Sequence, residues 1–163
     1  MPNKPAHSPI EMKPELLAAK LQVPPPRPHA VPRPHLIARL HLGLTRPVTL
    51  ISAPAGFGKT TLLSSGLNQL PAPTRVAWIT LDAGDDDPAR FLAYLFAALG
   101  APRLPALDEV LTPVISRLSE SPHSIAIVLD DYHLIEATAI HRRGAVAGIG
   151  AVDRVVAAGN AAA

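Results

Sequence analysis

The stretch "TLISAPAGFGKTTLLSSGL", residues 49–67, places an apolar run, a turn rich in small residues and a helical pattern in immediate succession. The run Val48–Ser52 is apolar and β-branched, which predicts a buried strand. The residues from Lys59 onward show helical periodicity until Pro71. This order predicts a loop whose backbone amides lead directly into the N-terminus of a helix.

The loop itself follows the phosphate-binding pattern of glycine, four free residues, glycine, lysine and a hydroxyl residue, with Ala53 in place of the first glycine. Gly56 and Gly58 allow backbone amides to converge on phosphate oxygens, and the helix N-terminus favours an anion. We expect Lys59 to reach the β- and γ-phosphates and the Thr60 hydroxyl to ligate Mg²⁺. The predicted nucleotide contacts are Ala53, Ala55, Gly56, Phe57, Gly58, Lys59, Thr60 and Thr61.

A second apolar run, "IAIVLDD" at residues 125–131, ends in two aspartates. A phosphate-binding loop needs an acid at the end of a buried strand to hold magnesium, and Asp130 is in that position. Asp131 stands where many ATPases carry the residue that activates the attacking water. A turn aspartate, or one that caps a following helix, is an equal alternative for Asp131. The predicted catalytic set is Lys59, Asp130 and Asp131.

The remaining elements predict an α/β fold. "RVAWITLD" at residues 75–82 is a strand, and residues 88–99 form a helix capped by Asp87 and ended by Gly100. A further helix is expected near residues 108–118. Asp82 and Asp85–Asp87 are expected to be loop and capping residues. Strands alternating with helices imply a parallel sheet flanked by helices, with three recognisable strands.

Composition divides the 163 residues into three parts. Residues 1–35 form a basic, proline-rich arm, expected to be extended and semi-rigid, and residues 36–140 a partial nucleotide-binding domain. Residues 141–163 are rich in alanine and glycine and show no sustained period. The absence of cysteine excludes disulfides, and no apolar run is long enough for a membrane span or a signal peptide. A cytoplasmic protein is expected.

The segments quoted so far, with "KLQVPPPRPHAVPRPHLIARL" ahead of them, together resemble the large ATP-dependent LuxR-type transcriptional regulators of the STAND class of P-loop ATPases. The resemblance covers about residues 16–139. It implies ATP or ADP with Mg²⁺, slow hydrolysis, a nucleotide-dependent switch and self-association of the intact protein. It also implies that Arg33 lies near the adenine and ribose, and that DNA is bound only by a C-terminal helix-turn-helix outside this chain.

Two departures from that family pattern stand out. Gly66 occupies a helix position where similar proteins often carry tryptophan, and glycine there costs roughly 1 kcal/mol relative to alanine. The strand expected after Asp130, which lies between the loop strand and the Asp130 strand in this class, is not recognisable. The segment "DRVVAAG" is a marginal candidate for it. The simplest interpretation is that the reading frame changes near His141, which makes the chain a truncated fragment with an out-of-frame tail.

Three functions therefore stay open. The first is the nucleotide-binding switch domain of a STAND regulator, here without its sensor and DNA-binding regions. The second is a small stand-alone P-loop kinase or nucleotide hydrolase, which requires arginines in a lid after Asp130. The third is an interaction module or non-functional product with negligible nucleotide affinity. ATP hydrolysis itself stays undecided, because no charge-stabilising arginine is recognisable.

Overall fold

A computed structural model of the chain describes residues 18–70, 74–100, 124–136 and 154–159. The described helices are α1 (Pro34–Gly43), α2 (Lys59–Leu67) and α3 (Pro88–Ala98). The described strands are β1 (Val48–Ser52), β2 (Thr74–Thr80), β3 (Ser124–Asp130) and β4 (Arg154–Gly159). Short 3₁₀ turns follow β2 at Ala83–Asp86 and β3 at Tyr132–Leu134. The helix predicted near residues 108–118 lies outside the described residues.

All described strand pairs are parallel, in the order β1-β4-β3-β2. The prediction of a parallel sheet flanked by helices is confirmed, and β4 adds a fourth strand to the three that are recognisable in the sequence, formed by the segment that was the marginal candidate. β4 lies between β1 and β3, pairing Val156 with Thr49 on one side and with Val128 on the other. Its short side chains leave no clear hydrophobic period in the sequence, although the central position buries the strand. The interpretation of a changed reading frame stays a prediction.

The sheet separates two apolar clusters, because successive side chains of a strand point to opposite faces. Ile127 and Leu129 of β3 pack with Phe91 and Leu95 of α3 on one face. Val128 packs on the other face with residues of α1 and α2, of β2 and of β4, namely Leu40, Leu44, Leu63, Leu67, Trp78 and Val156. The two faces together hold the sheet so that the loops after β1 and β3 meet at its carboxyl edge.

The helix ends follow the local signals of the sequence. Asp87 caps α3 by accepting a hydrogen bond from the amide of Arg90 at 2.9 Å, as expected. Gly100 follows the helix with φ of 65°, a conformation that favours glycine. α1 begins at Pro34, within the stretch predicted to be extended, because proline suits the first turn of a helix. Among the described residues, no helix has the length and apolarity needed to cross a lipid bilayer.

Candidate functional site

The loop between β1 and α2 turns through two glycines in the left-handed region. Gly56 has φ of 80° and Gly58 has φ of 78°. A Cβ built on either glycine meets nothing within 4 Å, so the backbone conformation alone requires glycine here. Gly58 occupies the N-cap of α2 and has no side chain with which to satisfy the first amides of the helix. A helix N-terminus in this arrangement favours the binding of an anion.

Lys59 is buried at the start of α2 and curves back over the loop. Its Nζ donates to the carbonyl oxygens of Ala53 and Pro54 at 3.0 and 3.1 Å. Only 9% of the residue is exposed, so its positive charge is held close to the loop rather than in bulk water. The ammonium group and the left-handed glycines thus lie in one cradle.

Asp130 reaches this cradle from the end of β3. The Thr60 hydroxyl donates to Oδ2 of Asp130 at 2.7 Å, across 70 residues of sequence. Asp130 is 2% exposed, and Oδ1 of the same carboxylate has no hydrogen-bond partner within the part of the chain that the structure describes. Burial raises the pKa of Asp130, and the hydrogen bond from Thr60 opposes that rise only in part. Oδ1 of this buried acid can therefore accept a further ligand.

The donors of this pair fit Mg²⁺ by their chemistry. Mg²⁺ prefers oxygen ligands, commonly one or two protein oxygens together with water and phosphate. The Thr60 hydroxyl and the Asp130 carboxylate supply two such oxygens, and the positive charge of a metal would compensate the buried carboxylate. The two residues predicted to hold magnesium are thus in direct contact.

Asp131 lies next to Asp130 but in a different environment. It has φ of 58°, a left-handed conformation that aspartate tolerates better than most residues. Its side chain is 42% exposed, and its Oδ1 lies 4.0 Å from Nδ1 of His133. Although Asp131 is at the N-cap of the turn Tyr132–Leu134, its side chain makes no capping hydrogen bond. Asp131 therefore has the turn position of the alternative interpretation, without a capping hydrogen bond.

A cavity of about 750 Å³ opens beside the phosphate loop. Arg33, the residue expected near the adenine and ribose, lines it and donates from Nη1 to the carbonyl oxygen of Phe57 at 3.1 Å. The arm, α1, the phosphate loop and α2 all contribute to its lining. The lining residues from the arm, from α2 and from just after α2 are Arg27–Arg33, Thr61, Leu62, Ser65 and Gln69.

Of the residues predicted to contact nucleotide, Gly56, Gly58, Thr61 and Arg33 line the cavity, and Lys59 and Thr60 lie at the start of the same helix. Phe57 is exposed beside them. Sequence reasoning missed Arg27, Ser65 and Gln69. Thr61 and Ser65 are four residues apart and so lie on one face of α2, and this spacing is a signal that could have indicated Ser65.

A comparison with protein families adds an independent result to this geometry. The model of the family described as AAA domain matches residues 43–144, which is more than half of the chain. The chain belongs to this AAA domain family. The matched residues contain the phosphate loop, Asp130 and Asp131. The family is one of P-loop NTPase domains, which agrees with the loop between β1 and α2.

Curated relatives confirm the resemblance to the LuxR-type regulators. This AAA domain is 33% identical over 109 residues to the HTH-type transcriptional regulator MalT of Cronobacter sakazakii and 31% identical over 109 residues to MalT of Vibrio campbellii. Each alignment covers 58% of this chain and 12% of the relative. The chain therefore spans about an eighth of the length of the curated relatives that it matches.

Solved structures support the fold of this AAA domain. The Aeropyrum pernix ORC2 protein, solved as ADPNP-ADP complexes, superposes with a TM-score of 0.58 at 18% identity, covering 84% of this chain and 42% of that one. CDC6P from Pyrobaculum aerophilum also gives a TM-score of 0.58, at 17% identity, covering 82% of this chain and 42% of that one. At this level of identity, the two structures establish the architecture alone.

Proposed function

We propose that this AAA domain binds ATP or ADP with Mg²⁺ and acts as the nucleotide-dependent switch of a STAND regulator of the LuxR type. The observation that carries the proposal is the contact between Thr60 and the buried Asp130, whose second carboxylate oxygen has no partner among the described residues. A structural aspartate at the end of a strand would normally have both oxygens satisfied. This one is arranged as a half-complete cation site beside a phosphate cradle.

Each residue has a distinct part in this proposal. The amides of the loop, including those of Ala55, Gly56 and Phe57, bind phosphate oxygens, and Lys59 neutralises the β- and γ-phosphates. Thr60 and Asp130 hold the magnesium ion, which supplies charge neutralisation on the phosphates when bound. The cavity between the arm and α2 accepts the nucleoside, with Arg33 on its wall.

The switch and its output are assigned by kinship to the MalT relatives. These relatives are HTH-type transcriptional regulators, so we assign DNA contact to a helix-turn-helix outside the matched residues. The cytoplasm is the compartment that fits such a regulator. Asp131 is the candidate to orient an attacking water, because it is half-exposed beside Asp130 and does not cap the turn that follows it.

Thermal unfolding with and without excess Mg-ADP or Mg-ATP tests the proposal. A ligand at about 100 times its dissociation constant stabilises the native state by roughly 2.7 kcal/mol. We expect a rise in the melting temperature for the wild-type chain and none for Lys59→Ala. Arg39→Ala is the matched control, because Arg39 is an exposed cation on α1 that does not line the cavity; it should respond to nucleotide like the wild type.

Two results would contradict the proposal. A cooperative transition that does not respond to either nucleotide would show that the cradle does not bind, which favours an interaction module. Transfer of the γ-phosphate to an added acceptor would favour a small kinase instead. A smaller response is expected when EDTA replaces Mg²⁺, since Thr60 and Asp130 are assigned to the metal while Lys59 and the loop amides bind phosphate directly.

A further inference from the structure

The arm is fastened to the domain at two separate places. At the end nearest α1, Arg33 donates to the carbonyl oxygen of Phe57 in the phosphate loop. At the other end of its described part, Lys20 forms ion pairs with Asp82 and Asp85, which are in the loop after β2. The first contact lies at the proposed nucleotide site. The second involves neither the phosphate loop nor the residues that line the cavity.

Asp85 is the centre of the second contact. It is 0% exposed, and its two carboxylate oxygens accept from different parts of the chain. Oδ1 accepts from Nε of Arg90 in α3 at 3.0 Å, whereas Oδ2 accepts from the amide of Asp82 at 2.8 Å and from Nζ of Lys20. Because the carboxylate is fully buried, removal of either cation leaves a charge that is hard to solvate.

Lys20 is held by more than this one carboxylate. Its Nζ lies 2.7 Å from Oδ2 of Asp82 and 4.6 Å from the centre of the Tyr94 ring. Burial lowers the pKa of the Lys20 ammonium, but the hydrogen bonds to Asp82 and Asp85 outweigh burial, so that the pKa is raised overall. Lys20 is thus a charged anchor and not a solvated surface lysine.

The part of the arm after this anchor passes from one face of the sheet to the other. Leu21 packs against the cluster that contains Phe91 and Leu95, and Val23 packs against the cluster on the opposite face. Residues 27–33 then form one wall of the cavity beside the phosphate loop. The position of that wall therefore depends on where the arm is fixed before it crosses.

The position of the arm affects the affinity for nucleotide. When a binding-competent arrangement is only partly populated, the apparent dissociation constant rises by the inverse of the populated fraction. Ordering a proline-rich segment costs less conformational entropy than ordering a flexible chain. The direction of the segment still has to be fixed at both of its ends. Arg33 sets it at one end, and the pair of Lys20 and Asp85 sets it at the other.

We propose that the ion pair between Lys20 and Asp85 is a positioning contact for nucleotide binding, which holds the arm as a wall of the nucleoside cavity. The inference rests on the proposed function and extends it to a residue pair that touches neither the phosphate loop nor the cavity lining. Lys20 and Asp85 act through the arm and do not contact the nucleotide. The pair couples the loop after β2 to the occupancy of the site.

Arg90 offers a matched control on the same carboxylate. Arg90 is in α3, so its hydrogen bond to Asp85 joins two parts of the domain and does not involve the arm. Lys20→Met and Arg90→Met each remove one cation from Asp85, so both should lower the melting temperature without ligand. Only Lys20→Met releases the arm.

The experiment measures the dissociation constant of Mg-ADP by titration calorimetry for the wild type, Lys20→Met and Arg90→Met in the full chain. We expect Lys20→Met to weaken binding about tenfold, which corresponds to an arm in place in one molecule out of ten. Arg90→Met is expected to stay within about twofold of the wild type, because the arm keeps its anchor. Lys20→Arg should restore most of the affinity, since it keeps the charge.

Hydrogen exchange supplies a readout that general destabilisation does not move. Without nucleotide, the amide of Ala30, which donates to the carbonyl oxygen of Arg27 at 3.1 Å, should exchange faster in Lys20→Met than in the wild type and at the wild-type rate in Arg90→Met. If Lys20→Met shows no cooperative unfolding, Lys20→Gln, which keeps a donor but not the charge, carries the same comparison.

The outcomes separate this inference from the proposed function. A wild-type chain that binds Mg-ADP while Lys20→Met binds it equally well overturns the inference and leaves the proposed function standing. Equal weakening in Lys20→Met and Arg90→Met also overturns the inference, because the pair then acts through stability alone. A wild-type chain that binds no nucleotide overturns both.

Discussion

At the scale of single residues, the site is defined by two neighbouring aspartates in contrasting environments. Asp130 is buried with one unpartnered oxygen among the described residues, whereas the side chain of Asp131 is 42% exposed. Desolvation disfavours the charged carboxylate of Asp130, which is why its pKa is raised. A bound cation would compensate the desolvation cost of this carboxylate, which the ligand-free chain has to bear.

This contrast predicts different effects for two identical substitutions. Asp130→Asn removes a buried charge, so the ligand-free chain should keep its unfolding free energy to within about 1 kcal/mol. The Mg²⁺-dependent part of the stabilisation by ADP should disappear. Asp131→Asn should retain both the unfolding free energy and the Mg²⁺-dependent stabilisation by ADP, because asparagine also tolerates the left-handed conformation. Thermal unfolding with ADP, in Mg²⁺ or in EDTA, makes the comparison, and an Asp130→Asn chain with full Mg²⁺ dependence would contradict it.

Residue-level rules account for which of these features the sequence reveals. The spacing from Ala53 to Thr60 and the aspartate after an apolar strand predict the contact of Thr60 with Asp130. Asp85 caps the 3₁₀ turn through the amide of Asp82, as expected, but its burial and its ion pair with Lys20 were missed, since acidic residues in a loop are usually solvated or capping. Asp82 does cap the 3₁₀ turn through the amide of Gly84, as expected. The burial of Asp85 depends on Lys20, which is 65 residues away, and no local pattern encodes that partner.

At the scale of elements, β4 shows where local pattern reasoning fails. The sequence predicts β1, β2 and β3 because their side chains are large and β-branched or lie in apolar runs. β4 offers two valines, two alanines and a glycine, which give no clear period. It is nevertheless central, because backbone pairing with β1 and β3 does not require large side chains. Gly159 even favours close approach: a Cβ there would lie 3.2 Å from the backbone nitrogen of His133.

Gly66 is a residue of α2 that the sequence marks as unfavourable for a helix. From the sequence it is a helix-weakening departure, with a cost of roughly 1 kcal/mol relative to alanine. In the structure, a Cβ on Gly66 would lie 2.6 Å from Cδ2 of Leu40 in α1. The carbonyl oxygen of Gly66 is 2.8 Å from Nε2 of His41, which is also in α1. Close packing of α2 against α1 therefore leaves no room for a Cβ at Gly66 unless the Leu40 side chain shifts.

A pair of valine-to-threonine substitutions tests the position of β4. Val156 is fully buried in β4, and Val48 in the neighbouring strand β1 is 56% exposed. Val156→Thr places a hydroxyl in the apolar cluster and should cost about 1 to 3 kcal/mol of unfolding free energy. Val48→Thr should change it by less than about 0.5 kcal/mol. Denaturant unfolding measures both, and equally small effects would mean that β4 does not occupy the centre of the sheet.

At the scale of the whole molecule, one sheet is shared by two apolar clusters. β2 and β3 contribute alternate residues to both faces, so Trp78 on one side and Ile79 on the other are consecutive in the chain. The arm adds a second connection, because Leu21 and Val23 pack on opposite faces. Neither cluster is a separate unit, and loss of one face should remove the support of the other.

The sole tryptophan of the chain makes this cooperativity measurable. Trp78 is 1% exposed in the cluster beneath α1 and α2, and its Nε1 donates to Oγ1 of Thr80 at 2.9 Å. Its emission should be blue-shifted in the native state and report the α1 and α2 face alone, whereas far-ultraviolet circular dichroism reports all helices. Because the faces share β2 and β3, the two signals should give coincident unfolding midpoints, as a two-state transition requires. Mg-ADP should raise both midpoints together. Separate transitions would mean that the α3 face, including the anchor of the arm at Asp85, unfolds independently of the face that carries the phosphate loop, and the anchor would then have no rigid path to the nucleotide.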